Sequence, residues 1–172
     1  LLCHQRSCAH SKRKARVSGR PLRCSFLLTA VGLAAQMLAC GDPCASPESE
    51  AILAAAAAEA GAGRTESGLV FLDLTPGSGP KPEPGNRVSV HYEGRLPDGT
   101  IFDSTNRQGL PRTFGLDQMI PGWTEGLLMM HGGGKAKLTI PAKLAYGRKG
   151  KKRKIPRCAT LIFEIELQGI YD

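Results

Sequence analysis

Aromatic side chains are scarce in this 172-residue chain: one Trp, three Tyr and five Phe make up 5% of it. Each ring therefore carries more information than usual about where an apolar site lies. Acidic residues are absent from Leu1 to Gly41, so that segment is uniformly basic. No CxxC pair occurs, and the four His do not gather around the six Cys, which speaks against a zinc site and a disulfide-rich scaffold. Long apolar runs are lacking as well. The stretch Phe26 to Ala39 is too short for a comfortable membrane span, which takes about 20 residues.

What remains is enough for one compact domain and a tail, since 41% of the residues are hydrophobic. The net charge of +8 would invite a nucleic-acid reading, but the excess sits in the basic N-terminal segment and in the run Arg148 to Arg157. In the first of these, Lys12, Arg13, Lys14, Arg16, Arg20 and Arg23 precede the apolar stretch, the layout of an export signal. The stretch ends in Met-Leu-Ala-Cys, which resembles a lipoprotein cleavage box with Cys40 as the lipidated residue. The Arg-rich, acid-free composition also resembles an organelle transit peptide, and the plain alternative is sequence that is not translated. Residues 1–41 are expected to be an export or targeting leader, in a bacterial cell envelope or an organelle such as a plastid. Residues 42–66 are rich in Ala, Gly, Ser and Glu; the alanines of Ser49 to Ala60 favour a helix, but that block shows no apolar stripe wide enough to bury, and the segment is expected to be a tether. The folded domain is expected over 67–172, with a stable fragment from about Arg64. Because the other five Cys fall in the tail, Cys158 is expected to stay unpaired.

Within the domain the hydrophobic period is two. Leu69 to Leu74 is a short strand, followed by a turn-rich connector from Thr75 to Gly85. Val88, Val90 and Tyr92 alternate with polar residues; Ala136, Leu138 and Ile140 do the same, and so do Leu161, Phe163, Ile165 and Leu167. Pro97-Asp98-Gly99 is a turn. One helix interrupts the series: Pro121-Gly122 opens it, Gly132-Gly133-Gly134 stops it, and Trp123, Leu127 and Met130 share one side. The expected fold is α+β, an antiparallel sheet curled around one short helix. His91 falls on the polar face of its strand and His131 at the end of the helix, so neither is assigned to chemistry.

The collinear motifs VHYEG, DGTIFDS, Phe114 followed by MIPGW, GGGKAKLTIP, LAYG and ATLIFEIEL resemble those of FKBP-type peptidyl-prolyl cis-trans isomerases across the whole expected domain. The resemblance implies rotation about the amide bond before proline, a step with a barrier of about 18–20 kcal/mol. It also implies no cofactor and no metal. Trp123 would form the floor of the pocket, with Tyr92, Phe102, Phe114, Ile120 and Phe163 as walls. The backbone at Met119 and Ile120 would meet the ligand, the Tyr146 hydroxyl would point inward, Asp103 would stand at the rim, and Ile155 would close the far side. The partners implied are proline-containing polypeptides and macrolide inhibitors of the FKBP class, with membrane contact only through a lipid at Cys40. Nucleic acid is not expected, because the basic run has no interleaved aromatics.

The chain departs from the family pattern in that run, which reads RKGKKRKIPR where relatives carry a glycine-rich apolar loop ending in Ile-Pro-Pro. Lys154 takes an aliphatic position, Arg157 replaces the second proline, and Arg112 stands where some members have an aromatic wall. The run reads as a solvated loop, as a device for acidic substrates or anionic surfaces, or as a nuclear address. A proline-binding module with little turnover, and a basic adaptor, therefore stand beside the enzyme as readings.

Overall fold

The computed structural model describes residues 42–106 and 109–172. The leader, with Cys40, lies outside the described residues.

The period-two segments form strands. β1 (Ala62–Arg64), β2 (Val70–Thr75), β3 (Arg87–Arg95), β4 (Ile101–Ser104), β5 (Arg112–Gly115), β6 (Lys135–Ile140) and β7 (Leu161–Tyr171) make one antiparallel sheet. Its order is β1-β2-β6-β7-β3-β4, with β5 also paired to β3. β3 gives one edge to β7 and divides the other between β4 and β5, so three strands that carry site residues meet along a single backbone. On β7 the expected alternation holds: Leu161, Phe163, Ile165 and Leu167 are buried and the residues between them are half-buried. β4 and β5 are only four residues long, too short for a period to announce them.

The helix α2 (Pro121–Met129) opens with Pro at its first position, where the missing N–H costs nothing. It buries Trp123 and Leu127, with Met130 just past its end, as their spacing requires. Gly122 and Gly126 set how close it lies to the sheet. A Cβ on Gly122 would come within 2.4 Å of Ile140 Cγ2, and one on Gly126 within 2.5 Å of Leu138 Cδ1. Two absent methyl groups thus let the helix sink onto β6 and bring Trp123 down to the floor of the curled sheet.

The segment read as a tether is folded. Pro47–Ala57 is a helix, α1, capped by the Ser46 hydroxyl accepting from the Ser49 N–H at 3.0 Å, with Glu48 and Glu50 in its first turn. It packs on β1, β2 and β6. Ile52, Ala55 and Ala56 border a hollow with Lys137 and Thr139, the residues of β6 that alternate with those under α2, so the two helices lie on opposite faces of β6. Small alanine side chains let α1 approach without the broad apolar stripe looked for in the sequence, and Leu53 alone is fully buried. Polar links complete the attachment: Arg64 pairs with Glu50, Lys137 Nζ lies 2.6 Å from Glu59 Oε1, and the Ser49 and Thr160 hydroxyls are 2.8 Å apart.

Cys158 is not free. It forms a disulfide with Cys44 across 114 residues, joining the start of the described chain to the approach to β7. The expectation of an unpaired Cys158 followed from treating residue 44 as tail. Once α1 docks on the sheet, Cys44 is carried to the domain surface and is 6% exposed.

Candidate functional site

Between α2 and the curled sheet lies a cavity of about 400 Å³, within the range of small-ligand sites. Each lining residue arrives by a different route. β3 supplies Tyr92, β4 Phe102 and Asp103, β5 Arg112 and Phe114, and β7 Phe163. The short 3-10 turn Leu116–Gln118 and the residues after it contribute Gln118, Met119 and Ile120, and α2 adds Trp123. Tyr146, Lys151 and Lys154 come from the stretch between β6 and β7.

Trp123 organises the rings. Tyr92, Phe163 and Phe114 meet it at 5.0, 5.2 and 6.0 Å between centroids, with interplanar angles of 85°, 88° and 86°. Phe102 meets Phe163 in the same manner, at 5.4 Å and 88°. Edge-to-face contact places the positive rim of one ring on the negative face of the next, a geometry worth about 0.5–1.5 kcal/mol per pair beyond burial. The result is an aromatic cup whose rings brace one another.

Gly94 makes the cup possible. A Cβ there would lie 2.6 Å from Phe163 Cε1 and 2.7 Å from Phe102 Cζ, both inside van der Waals contact. The patterns of aromatics and charges do not single out this residue; its signal is a glycine inside an otherwise regular strand, which marks a close approach.

The polar groups are few. Burial, and then the adjacent Asp103 carboxylate, push the Tyr92 phenol above its usual range, with Arg112 opposing. Tyr92 therefore stays a neutral donor at any physiological pH. Asp103 accepts from the Ser104 N–H at 3.1 Å. The Ile120 carbonyl is engaged by the N–H groups of Trp123 and Thr124 at 2.9 and 3.2 Å, whereas its own N–H, among the described residues, donates to none. That donor opens the helix just where the cavity begins.

Nine of the ten residues expected at the site line this one cavity: Tyr92, Phe102, Asp103, Phe114, Met119, Ile120, Trp123, Tyr146 and Phe163. Ile155 does not. It is 6% exposed, belongs to the core cluster and borders a separate hollow with Leu96, Lys154 and Pro156. Arg112, Gln118, Lys151 and Lys154 join the lining unassigned. Gln118 carried no signal, while the other three sit at positions where the sequence departs from the family pattern. His91 faces the Thr105 hydroxyl at 3.2 Å and His131 the Gly79 carbonyl at 3.0 Å, both away from the cavity lining. Among the described residues no cluster of His, Cys, Asp or Glu is arranged to hold a metal ion.

An aromatic cup with a polar rim and an unengaged backbone donor beside it is built to hold a compact apolar group beside a carbonyl. Residues 79–168 match the model of a family described as FKBP-type peptidyl-prolyl cis-trans isomerase. The chain is 48% identical over 110 residues to the FKBP-type 22 kDa peptidyl-prolyl cis-trans isomerase of Escherichia coli (strain K12), a match that covers 64% of this chain and 53% of that protein. It is 48% identical over 107 residues to an FK506-binding protein of Neisseria meningitidis, covering 61% of this chain and 98% of the relative. Among solved structures it superposes on FkpA from Escherichia coli with a TM-score of 0.70 and 40% identity, over 72% of this chain and 58% of that one. The chain belongs to the FKBP-type peptidyl-prolyl cis-trans isomerase family. It spans about half the length of several curated relatives that it matches, with coverage of 53%, 45% and 44%.

Proposed function

We propose that the protein accelerates cis-trans rotation of X-Pro amide bonds in folding polypeptides, using the aromatic cup as its active site. The observation that carries this reading is the set of three edge-on rings around Trp123 at the cavity floor. Rotation takes the peptide through a twisted state in which amide resonance is lost, the nitrogen becomes pyramidal and the carbonyl dipole weakens. Such a state is less strongly hydrated than the planar amide. An apolar cavity therefore favours it differentially, which is the requirement for catalysis.

No bond is made or broken, so no nucleophile is called for. Trp123 supports the proline ring while Tyr92, Phe102, Phe114 and Phe163 exclude water around it. The Ile120 N–H and the Tyr146 hydroxyl are the donors for substrate carbonyls. Asp103 acts at the rim by accepting from the Tyr92 hydroxyl and so fixing that ring, or by polarising the twisted amide through its charge. The partners are proline-containing polypeptides, and since the Neisseria relative is named an FK506-binding protein, macrolides of that class are candidate inhibitors.

The site of action is outside the reducing cytosol. A disulfide that closes a 114-residue loop supports this, because such bonds persist in oxidising compartments, and so does the signal-like leader with its candidate lipid anchor at Cys40. One specific observation favours a second reading, a proline-binding module with little turnover: two lysines enter a cavity that the family pattern makes apolar. A single assay separates the two. The full chain is expected to accelerate isomerisation of a neutral proline tetrapeptide, and Phe102→Ala and Trp123→Ala are each expected to lose about 1–3 kcal/mol of transition-state stabilisation. Saturable binding of that peptide without acceleration would leave the module reading standing instead.

A further inference from the structure

On the reading that this cavity takes X-Pro segments, we infer that it selects segments with an acidic residue close to the proline, and that Lys151 and Lys154 recognise that residue. The cavity lining holds three cations, Arg112, Lys151 and Lys154, against one carboxylate, Asp103. Arg112 already interacts with the Tyr92 hydroxyl beside Asp103. The two lysines are placed differently. The ion pairs Arg64–Glu50, Arg95–Glu164, Lys135–Glu164 and Lys137–Glu59 involve neither of them. Lys151 Nζ instead sits 5.5 Å from the centre of the Tyr146 ring. Contact with a ring face holds an ammonium in position without consuming the carboxylate it would otherwise need.

The lysines are also built into place rather than carried on a loose tail. The Lys151 N–H donates to the Ile155 carbonyl and the Ile155 N–H returns to the Lys151 carbonyl, both at 2.9 Å, while the Lys154 N–H donates to the Lys151 carbonyl at 3.0 Å. Ile155, at the close of this turn, is anchored in the core. Arg157 Nε donates to the Arg148 carbonyl at 2.9 Å, the Cys158 N–H donates to the Gly147 carbonyl at 2.9 Å, and the disulfide to Cys44 ties down the far end. Lys151, Lys152, Arg153 and Lys154 are all exposed, but of these Lys151 and Lys154 stand on the cavity wall while Lys152 and Arg153 lie outside its lining.

Lys151 and Lys154 are exposed at the mouth of the cavity, where their charge attracts an acidic peptide and their side chains meet its carboxylate, an attraction that salt screens. An extended peptide advances about 3.3–3.6 Å per residue. A Lys side chain then reaches a carboxylate within about two residues of the proline. Nucleic acid fits less well: the rings it would stack on are packed edge-on inside the cup, and none is interleaved with the lysines.

The test uses the full chain and pairs of proline peptides that differ only by Glu or Gln, two residues before the proline or one after it. The Glu/Gln ratio of kcat/KM is expected to be about five- to tenfold at low salt for one of the two positions and to fall toward one in high salt. Lys151→Gln with Lys154→Gln should bring that ratio to about one, whereas Lys152→Gln with Arg153→Gln should leave most of it. Lys151→Glu with Lys154→Glu should turn the preference toward a Lys-containing peptide. Wild-type turnover of all peptides at equal kcat/KM would overturn the inference and leave the isomerase reading intact. Absence of turnover would defeat that reading instead, and the ratio of dissociation constants for the same peptides would then decide the inference. A single-stranded oligonucleotide that binds more tightly than the Glu peptide and is released by the Lys151/Lys154 change would also overturn it.

Discussion

Gly94 and Asp103, paired across β3 and β4, do opposite jobs at one point of the cup. Gly94 contributes by having no side chain, since the space a methyl would take is filled by Phe102 and Phe163. Gly94→Ala is expected to cost about 1–3 kcal/mol, the usual range for overpacking, and to lower kcat/KM because the rings must move. Chemical denaturation and the tetrapeptide assay read the two effects, and a variant with unchanged stability would show that the rings are not held as tightly as their edge-on contacts indicate. Asp103 contributes a charge at the rim. Asp103→Asn keeps the size and removes the charge, so turnover should fall while the denaturation midpoint stays close to wild type. A large loss of stability would instead make Asp103 a structural residue.

The helix α1 changes what counts as the domain. Read from composition it is a tether; in the structure it covers one face of β6, and its lead-in carries Cys44 to Cys158. The cross-link restricts a loop of 114 residues in the unfolded chain. Its removal by Cys158→Ser or by reduction is expected to cost about 2–5 kcal/mol, measured by denaturant unfolding with and without reductant. If reduction left the midpoint unmoved, the bond would contribute nothing to stability and the attachment of α1 would rest on Leu53 and the polar links alone. The same bond ends the basic loop, so its loss should also blunt the Glu/Gln discrimination proposed for Lys151 and Lys154.

For the molecule as a whole, charge decides how stability varies with pH. Glu164, half-buried in the middle of β7, is opposed in ionising by burial, but the hydrogen bond from Lys135 and the charge of Arg95 outweigh that and hold its carboxyl below the ordinary 4.5. A depressed carboxylate adds stability above its unfolded value and loses it as pH falls through its folded one. Unfolding free energy should therefore decline as pH drops below about 4.5, and Glu164→Gln should flatten that decline while lowering stability near neutrality. Denaturant titrations from pH 3 to 7, a span set around the ordinary carboxylate range, would show it. An equal slope in the variant would assign acid sensitivity to other carboxylates.

The sequence alone determined the class of fold and most of the cup. Period-two hydrophobicity in the segments that form β3, β6 and β7, the i, i+4 spacing of Trp123 and Leu127, and the order of the motifs are local properties that can be read along the chain, although Ser89 and Thr139 are buried as well. Tertiary structure decided the rest. Whether an alanine-rich helix docks depends on the face it meets, so the helicity of this stretch is legible in its alanines while its docking is not. Cysteine pairing depends on distance in space, and residues 44 and 158 become neighbours only through that docking. Ile155 and Lys154 are adjacent in sequence, yet the turn closing on Lys151 leaves Ile155 out of the cavity lining and puts Lys154 into it, because a tight turn assigns neighbouring side chains to different sides.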